Sequence, residues 1–598
     1  MNTVQPAVAV AVVCVATALF GVYGLRPGRA TSDFYVASRA VTPLRNASAI
    51  GGEYLSAASF LGIAGLVLAY GADMLWYGVG YTAGYLVLLA FVAAPMRRSG
   101  AYTVPDFAEA RLQSARVRQL ASVLVVLIGW LYLLPQLQAA GLTLRTVTGA
   151  PLWVGPVAVG AVVMTTVASG GMRSVTAVQA FQYWLKLTAL AVPVIFLLLA
   201  WRADGAPWPD ADAPPRFRDT TTVTVHQAVD VRVGDPVRVT VHGRLDGHRL
   251  DGERVRVGPG VHAIGAETRV TFPAGSDVPH PVDDEAPVDG RDWTRPLSGP
   301  EHPGYGTYSL LIATLLGTMG LPHVIVRFYT NPDGPAARRT TWTVLWLLAA
   351  FYLLPPLYGA LGRLYTPELL MTGRTDATLL LLPDRLLGGG PGAAVLGTLL
   401  TAGAFAAFLS TASGLTMSVA GVLGQELERR RARRATGPPG KAADARAEVR
   451  ATVRRLRLAG VAAAAVPCAA SLVVVERPVA DVVGLAFAVA ASSFCPLLLL
   501  GIWWRGLTPQ GAAAGLLSGG GAALATVAVT MFGVQPGGWP GALLARPAAW
   551  TVPLAFAVMV GVSWLTRRSV PSGTAHALLR LHAPESLDLP RRPGRPTG

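Results

Sequence analysis

The sequence predicts an all-α polytopic membrane protein of about thirteen transmembrane helices, with one small β-rich insert. Three observations predict it: apolar runs near 20 residues recur along the chain, arginine gathers in alternate loops, and one long stretch alternates with period 2. Of the 598 residues, 52% are hydrophobic and only 14% are charged. A soluble chain carries about 25% charge.

The apolar runs begin near Val4, Ala47, Leu75, Leu120, Leu152, Ala177, Tyr308, Thr341, Ala393, Leu458, Val479, Gly511 and Ala548. Each is long enough to cross a bilayer core. The first, within 1–25, has no basic segment before it and no clear cleavage site before Arg26. It is expected to be a retained helix, with a signal peptide as the alternative. Helices two to six are expected within 47–201, helices seven to eleven within 306–505, and the last two within 506–567. The tail is 568–598.

A net charge of +16 raises the question of a nucleic-acid partner. Its distribution answers it. Arginine concentrates in Arg26–Arg45, Arg97–Arg118, Arg327–Arg339, Arg429–Arg457 and the tail. An odd helix count puts all of these on one side, and the positive-inside rule makes that side cytoplasmic. The N-terminus is then extracytoplasmic and the C-terminus cytoplasmic, in a cell membrane. The basic loop 425–457 also suits anionic lipid. No nucleic-acid partner and no obligate protein partner is expected. Cys14, Cys468 and Cys495 lie in apolar runs without metal-ligand spacing and are expected to pack in the core.

The insert, 202–305, is net acidic, has no lysine and is rich in Pro, Asp, Val and Gly. Alternation in 222–225, 229–233 and 237–241 predicts short antiparallel strands. The insert follows the sixth helix, so the topology places it outside. It is expected to be a decoration, with a lid or partner-binding module as the sharper alternative. Its histidines lack metal-site spacing.

Two apolar runs break in corresponding places. One break is expected at Gly51-Gly52-Glu53-Tyr54-Leu55-Ser56, the other at Gly317-Thr318-Met319-Gly320-Leu321-Pro322-His323. Unwound backbone survives in a membrane only when buried or lining a cavity, and paired breaks point to a secondary transporter's binding site.

These motifs resemble the sodium/solute symporter family, and within it the cation/acetate (monocarboxylate) branch. The run Gly51 to Gly62 resembles that branch's second helix. Gly170-Gly171-Met172-Arg173-Ser174 resembles the family's double-glycine signature. The second break, with Arg327-Phe328-Tyr329-Thr330, resembles helix seven. Ala406 to Leu415 resembles helix nine, and Gly484 to Ser492 resembles helix eleven. The runs occur in the family's order and cover nearly all the membrane part, but not the insert. The resemblance implies a leucine-transporter-like architecture of two inverted five-helix repeats, each opening with a broken helix. It also implies sodium as the coupling ion, with no other cofactor.

Sodium needs several oxygen ligands, and hydroxyls and backbone carbonyls suit a hard cation. By resemblance the site maps onto Gly52, Leu55, Ala407, Ser410 and Thr411. The competing reading is that Ser410 and Thr411 bond back to their own helix or join helices. Some family members carry an Asp serving a second sodium where this chain has Gln179, which argues for a single coupling ion.

Lys186 stands near the middle of helix six, and a charge there costs about 3 kcal/mol on insertion scales. It is a candidate counter-charge for a carboxylate or a proton-linked group competing with the cation. Otherwise it snorkels or stands neutral. Glu53, beside the first break, is the other coupling candidate. For the substrate, the expected contacts are Tyr132, Gln136, Thr318, Gly320 and Ser492, each with an ordinary packing role as the alternative. His323 is a candidate gate or proton carrier.

The leading expectation is symport of sodium with a small organic anion such as acetate, propionate or pyruvate, by alternating access. Proton coupling, or a proline or sugar substrate, stays open. A transporter-like sensor would need an output domain, and the tail is too short for one. An enzyme is not expected, since no nucleophile–base set or nucleotide loop is present in the sequence.

Overall fold

The computed structural model describes residues 4–23, 41–282, 286–297, 302–434, 442–473, 479–531, 536–584 and 587. The double-glycine signature and the basic loop 425–457 fall partly outside the described residues and side chains.

Helix α1 is Val4–Tyr23 and α2 is Pro43–Tyr54. Pro43 suits the first turn of α2, where its missing N–H removes nothing. After Leu55 and Ser56, one π-helical turn, Ala58–Gly62, leads into α3, Ile63–Tyr70. Then come α4, Leu75–Phe91, α5, Ala115–Thr148, and α6, Val154–Ala203. Ser114 caps α5 by accepting from the Val117 amide at 3.4 Å. Gly149, left-handed at φ 76°, ends α5.

After the insert the chain returns as α7, Pro303–Gly320, and α8, Pro322–Phe328, bent from it by 44°. Helix α9, Gly334–Tyr352, starts on Asp333, which accepts from the Ala336 amide at 2.6 Å. Next are α10, Pro355–Tyr365, α11, Gly390–Arg434, α12, Ala442–Ser471, and α13, Val479–Trp503. The last two are α14, Pro509–Met531, and α15, Ala548–Leu565.

Among the described residues, nine helices are long and apolar enough to cross a membrane, and ten if α7 and α8 count as one span. About thirteen were anticipated. The difference lies in segments such as Val154–Ala168 and Arg457–Ser471, which are apolar but short.

The insert is one seven-stranded antiparallel sheet: β1 Thr221–Val225, β2 Val229–Val233, β3 Val237–Leu245, β4 His248–Val257, β5 Gly260–Ile264, β6 Thr268–Phe272 and β7 His280–Pro281. The order is β1-β6-β3-β5-β2-β7, with β4 paired to β3. All three anticipated alternating runs fall on strands. Period 2 sends Val223, Val225, Val231, Val233, Val239, Val241 and Val270 to one face. That face packs, as a single apolar cluster, on Leu68 and Ala69 of α3 and on Leu370 and Met371 between α10 and α11. The Trp293 indole N–H donates to the carbonyls of Val67 (2.8 Å) and Leu68 (3.1 Å).

The sheet therefore covers the end of the bundle where α3 stops and α4 begins. Basic clusters occupy the end where α4 stops and α5 begins. There Arg118 pairs with Asp106, with Glu109 at 3.3 Å and with Glu426 at 2.9 Å.

Candidate substrate and cation sites

The two breaks have different causes. In the first, Gly51 and Gly52 are helical and the helix opens only at Leu55 and Ser56. The glycines serve close packing instead. A Cβ on Gly52 would collide with the Gln179 carbonyl of α6, and one on Gly51 would meet the Tyr183 ring. The break thus lies at the C-terminal end of the anticipated segment, Gly51 to Ser56. In the second, Leu321 is extended (φ −70°, ψ 117°) because Pro322 follows it.

Between the breaks lies a buried aromatic cluster. Tyr54 stands edge-on to Tyr81 (5.8 Å between centroids), Tyr85 (4.9 Å) and Phe487 (6.1 Å). Phe487 continues to Tyr132 (5.8 Å), and Tyr132 to His323 (5.4 Å). The Thr318 hydroxyl lies 2.7 Å from the Tyr54 phenol. Gln136, one turn from Tyr132, accepts the Ala57 amide at 2.8 Å. The Gln136 Nε2, the Tyr81 and Tyr85 phenols and both His323 ring nitrogens are buried without a hydrogen-bond partner. Unpartnered buried polar atoms call for an explanation, and their convergence between the breaks makes this a candidate ligand site.

Beside this cluster, the oxygens assigned to the cation converge from α2, the break and α11. The Gly52 and Leu55 carbonyls and the Ser410 hydroxyl all surround one point. The Ser410 hydroxyl also lies 3.0 Å from the Ala407 carbonyl, and the Thr411 hydroxyl donates to the Glu53 carbonyl at 2.6 Å. Gln179 donates to the Ser410 carbonyl at 2.7 Å. At the centre stands the amino group of Lys186, bonded to Gly52 O, to Leu55 O at 2.6 Å and to Ser410 Oγ at 2.7 Å.

Glu53 and Arg327 form a buried ion pair behind the cage. Arg327 also donates to Thr176 Oγ1 at 2.7 Å and to Gln179 Oε1. Gln179 therefore links the ion pair to the Ser410 carbonyl.

The structure brings Gly52, Leu55, Ala407, Ser410, Thr411, Glu53 and Lys186 into one place. It brings Tyr132, Gln136 and Thr318 into a second, adjoining one. Gly320 is buried beside the second break, where a Cβ would collide with the Ala490 carbonyl, so it acts as a packing glycine. Ser492 is not part of the cluster. Its hydroxyl is satisfied by Ala488 O (2.8 Å) and by Thr551 of α15 (2.7 Å). Tyr81, Tyr85, Phe487 and the ion-pair role of Arg327 were not anticipated. The four-residue spacing of Tyr77, Tyr81 and Tyr85 puts the phenols on one helix face and could have revealed two of them. Gly80 and Gly84 on the same helix leave room for Thr314 and Thr318 of α7.

A helical membrane body with two broken helices around a buried polar centre defines a secondary transporter. The chain belongs to the sodium:solute symporter family, whose profile matches residues 34–204 and 298–519. The matched regions leave out the insert. An uncharacterised symporter of Cupriavidus necator is 30% identical over 90% of this chain and 88% of its own length. A monocarboxylic acid transporter of Corynebacterium glutamicum is 28% identical over 83% of this chain and 78% of its own. Among solved structures, a Na+-coupled sialic acid symporter in a substrate-bound outward-open state aligns with a TM-score of 0.60 at 14% identity, over 94% of this chain and 97% of that one. The fold is thus the leucine-transporter-like one, with a sheet added, and the chain is a multi-pass membrane symporter.

Proposed function

We propose that this symporter carries a small monocarboxylate such as acetate, propionate or pyruvate together with sodium, by alternating access of two inverted repeats, 47–201 and 306–505. The observation that carries this reading is the cluster of unpartnered polar atoms between the breaks. Gln136 Nε2 and the Tyr81 and Tyr85 phenols are donors without acceptors, which suits a compact ligand rich in acceptors. The relative named a monocarboxylic acid transporter supports the same substrate class. In this reading Gly52, Leu55, Ala407, Ser410 and Thr411 hold the coupling ion. The N-terminus and the insert face outward across the cell membrane, and the basic end faces the cytoplasm.

The test is uptake of labelled acetate into proteoliposomes under an imposed inward sodium gradient, with propionate, pyruvate, proline and glucose as competitors. Competition by the carboxylates alone is the expected result, and Tyr85→Phe and Thr318→Val should each reduce uptake. Failure to take up acetate, or displacement by proline or glucose, would remove the monocarboxylate assignment.

A further inference from the structure

The cation site and the aromatic cluster leave one large cavity without a task. It lies between the sheet and the bundle and holds about 550 Å³, within the range of about 300–1,000 Å³ for small-molecule sites. Its walls come from α5, from the start of α13, from residues 372–374 and 376, and from the insert turns that precede β2 and β6. Two arginines line it, Arg145 in the last turn of α5 and Arg374. Arg145 is half-buried. Among the described residues its hydrogen-bond partner is the His226 ring of the insert, 3.3 Å away, and no carboxylate stands within ion-pair distance of it. A guanidinium keeps its charge and has five N–H donors, so most of those on Arg145 have no protein acceptor there. The two carboxylates on the cavity wall are engaged otherwise. Glu267 meets the His226 ring at 3.2 Å, and Asp376 accepts the Val479 amide at 3.3 Å.

The cavity and the aromatic cluster lie in line along the same two helices. On α5, Tyr132, Gln136 and Ala139 share one face, and Ala139 already lines the cavity. At about 1.5 Å per residue, Arg145 stands about 13 Å beyond Gln136 on α5, and Val479 about 12 Å from Phe487 on α13. Asp376, which holds the Val479 amide, lies against Gly65 of α3, just past the first break.

We propose that this cavity is an antechamber, in which Arg145 and Arg374 hold a small carboxylate before it passes to the cluster between the breaks. A carboxylate accepts two parallel N–H bonds from one guanidinium. In open water such a pair contributes little. Under the sheet it is shielded on one side, and a positive cavity wall raises the local concentration of the anion. The inference rests on the monocarboxylate reading for what moves inward, while the anion site stands or falls by itself. It gives the insert a task, which the matched family regions, leaving the insert out, do not supply.

The probe is a cysteine introduced by Ala228→Cys, at an exposed position on the cavity wall. The native chain, whose three cysteines are buried or half-buried, serves as the blank. In the purified full-length protein, a thiol reagent carrying a sulfonate should react faster than its trimethylammonium counterpart. Arg145→Gln with Arg374→Gln should lower that rate ratio about tenfold. Acetate should slow the sulfonate reagent saturably, more than an equal concentration of chloride does, and only while the arginines are present. A ratio unchanged by the double substitution, or equal slowing by chloride, overturns the proposal. If the double variant does not fold, Arg374→Gln alone and the acetate-against-chloride comparison with both arginines present decide. In proteoliposomes Arg145→Gln should raise the KM for acetate about tenfold and leave kcat within about twofold. A KM that does not move overturns the proposal as well. Protection by acetate without acetate uptake sustains the antechamber and counts against the substrate reading alone.

Discussion

The two broken helices look alike in sequence and are held open differently. At Leu321 the break is covalent in origin. Pro322 removes an amide, forces its neighbour to extended geometry and sets the 44° bend. At Leu55 and Ser56 no proline is present, and the freed carbonyls are met by the Lys186 amino group and by the Thr411 hydroxyl of α11. One break is a fixed piece of backbone. The other is bridged by side chains of α6 and α11. On the cation-site reading proposed above, the coupling ion acts at the first break and not at the second.

The largest expected effect would break the support of the first site. Arg327→Met leaves Glu53 buried without its counter-charge, at a cost of about 3–5 kcal/mol. Thermal unfolding in detergent should show a large loss. Combining it with Glu53→Gln should recover most of that loss, and no recovery would mean that the pairing is not what holds the region.

Next in size are the packing glycines. Gly52→Ala and Gly320→Ala both drive a Cβ into a backbone carbonyl, and each should destabilise by about 1–3 kcal/mol. They separate the two breaks if sodium binding is measured alongside. Gly52→Ala should lose it and Gly320→Ala should keep it. Equal loss in both would erase the distinction drawn here.

A similar magnitude, read as sodium affinity and not as stability, is expected at a single ligand. Ser410→Ala removes one oxygen facing a charge, worth about 1.5–3 kcal/mol, so sodium affinity should fall at least tenfold. Pro322→Ala should leave sodium affinity within about twofold, since a proline provides no ligand and sets only backbone geometry.

Much of this was legible in the chain. The apolar runs, the alternating valines of the insert and Pro322 each act through local geometry, and local geometry is written in adjacent residues. Ser410, Thr411 and Lys186 could be singled out because polar groups are costly in an apolar helix. Their convergence could not. Lys186 meets residues 131, 134 and 224 positions away, and nothing near residue 186 specifies which face of α6 turns toward Gly52. Ser492 misled for the opposite reason. A hydroxyl in an apolar helix looks the same whether it binds a ligand or joins Thr551 of a neighbouring helix. The glycines at 51 and 52 suggested unwinding where their actual service is close approach to α6.

The smallest expected effect lies in the insert, far from either break. Asp246 accepts from the His262 ring at 2.7 Å, which raises the pKa of His262, and burial opposes this only in part. The stability this adds is fully present below the ordinary histidine range, near 6.5, and is lost as pH rises through the raised value. Hydrogen exchange corrected for intrinsic rates should show β5 less protected at pH 8.5 than at pH 6, with β1 and β6 unchanged. Asp246→Asn should remove the difference.

The sheet's footing has a mechanical meaning. Its apolar face shares one buried cluster with Leu68 and Ala69 of α3 and with Leu370 and Met371 between α10 and α11. A rocking motion between the two repeats then either shears that joint or drags the sheet along with one side. Each shear wets oily surface that was dry. Under the alternating access proposed above, shortening the insert should change how fast the protein turns over before it changes what the protein carries.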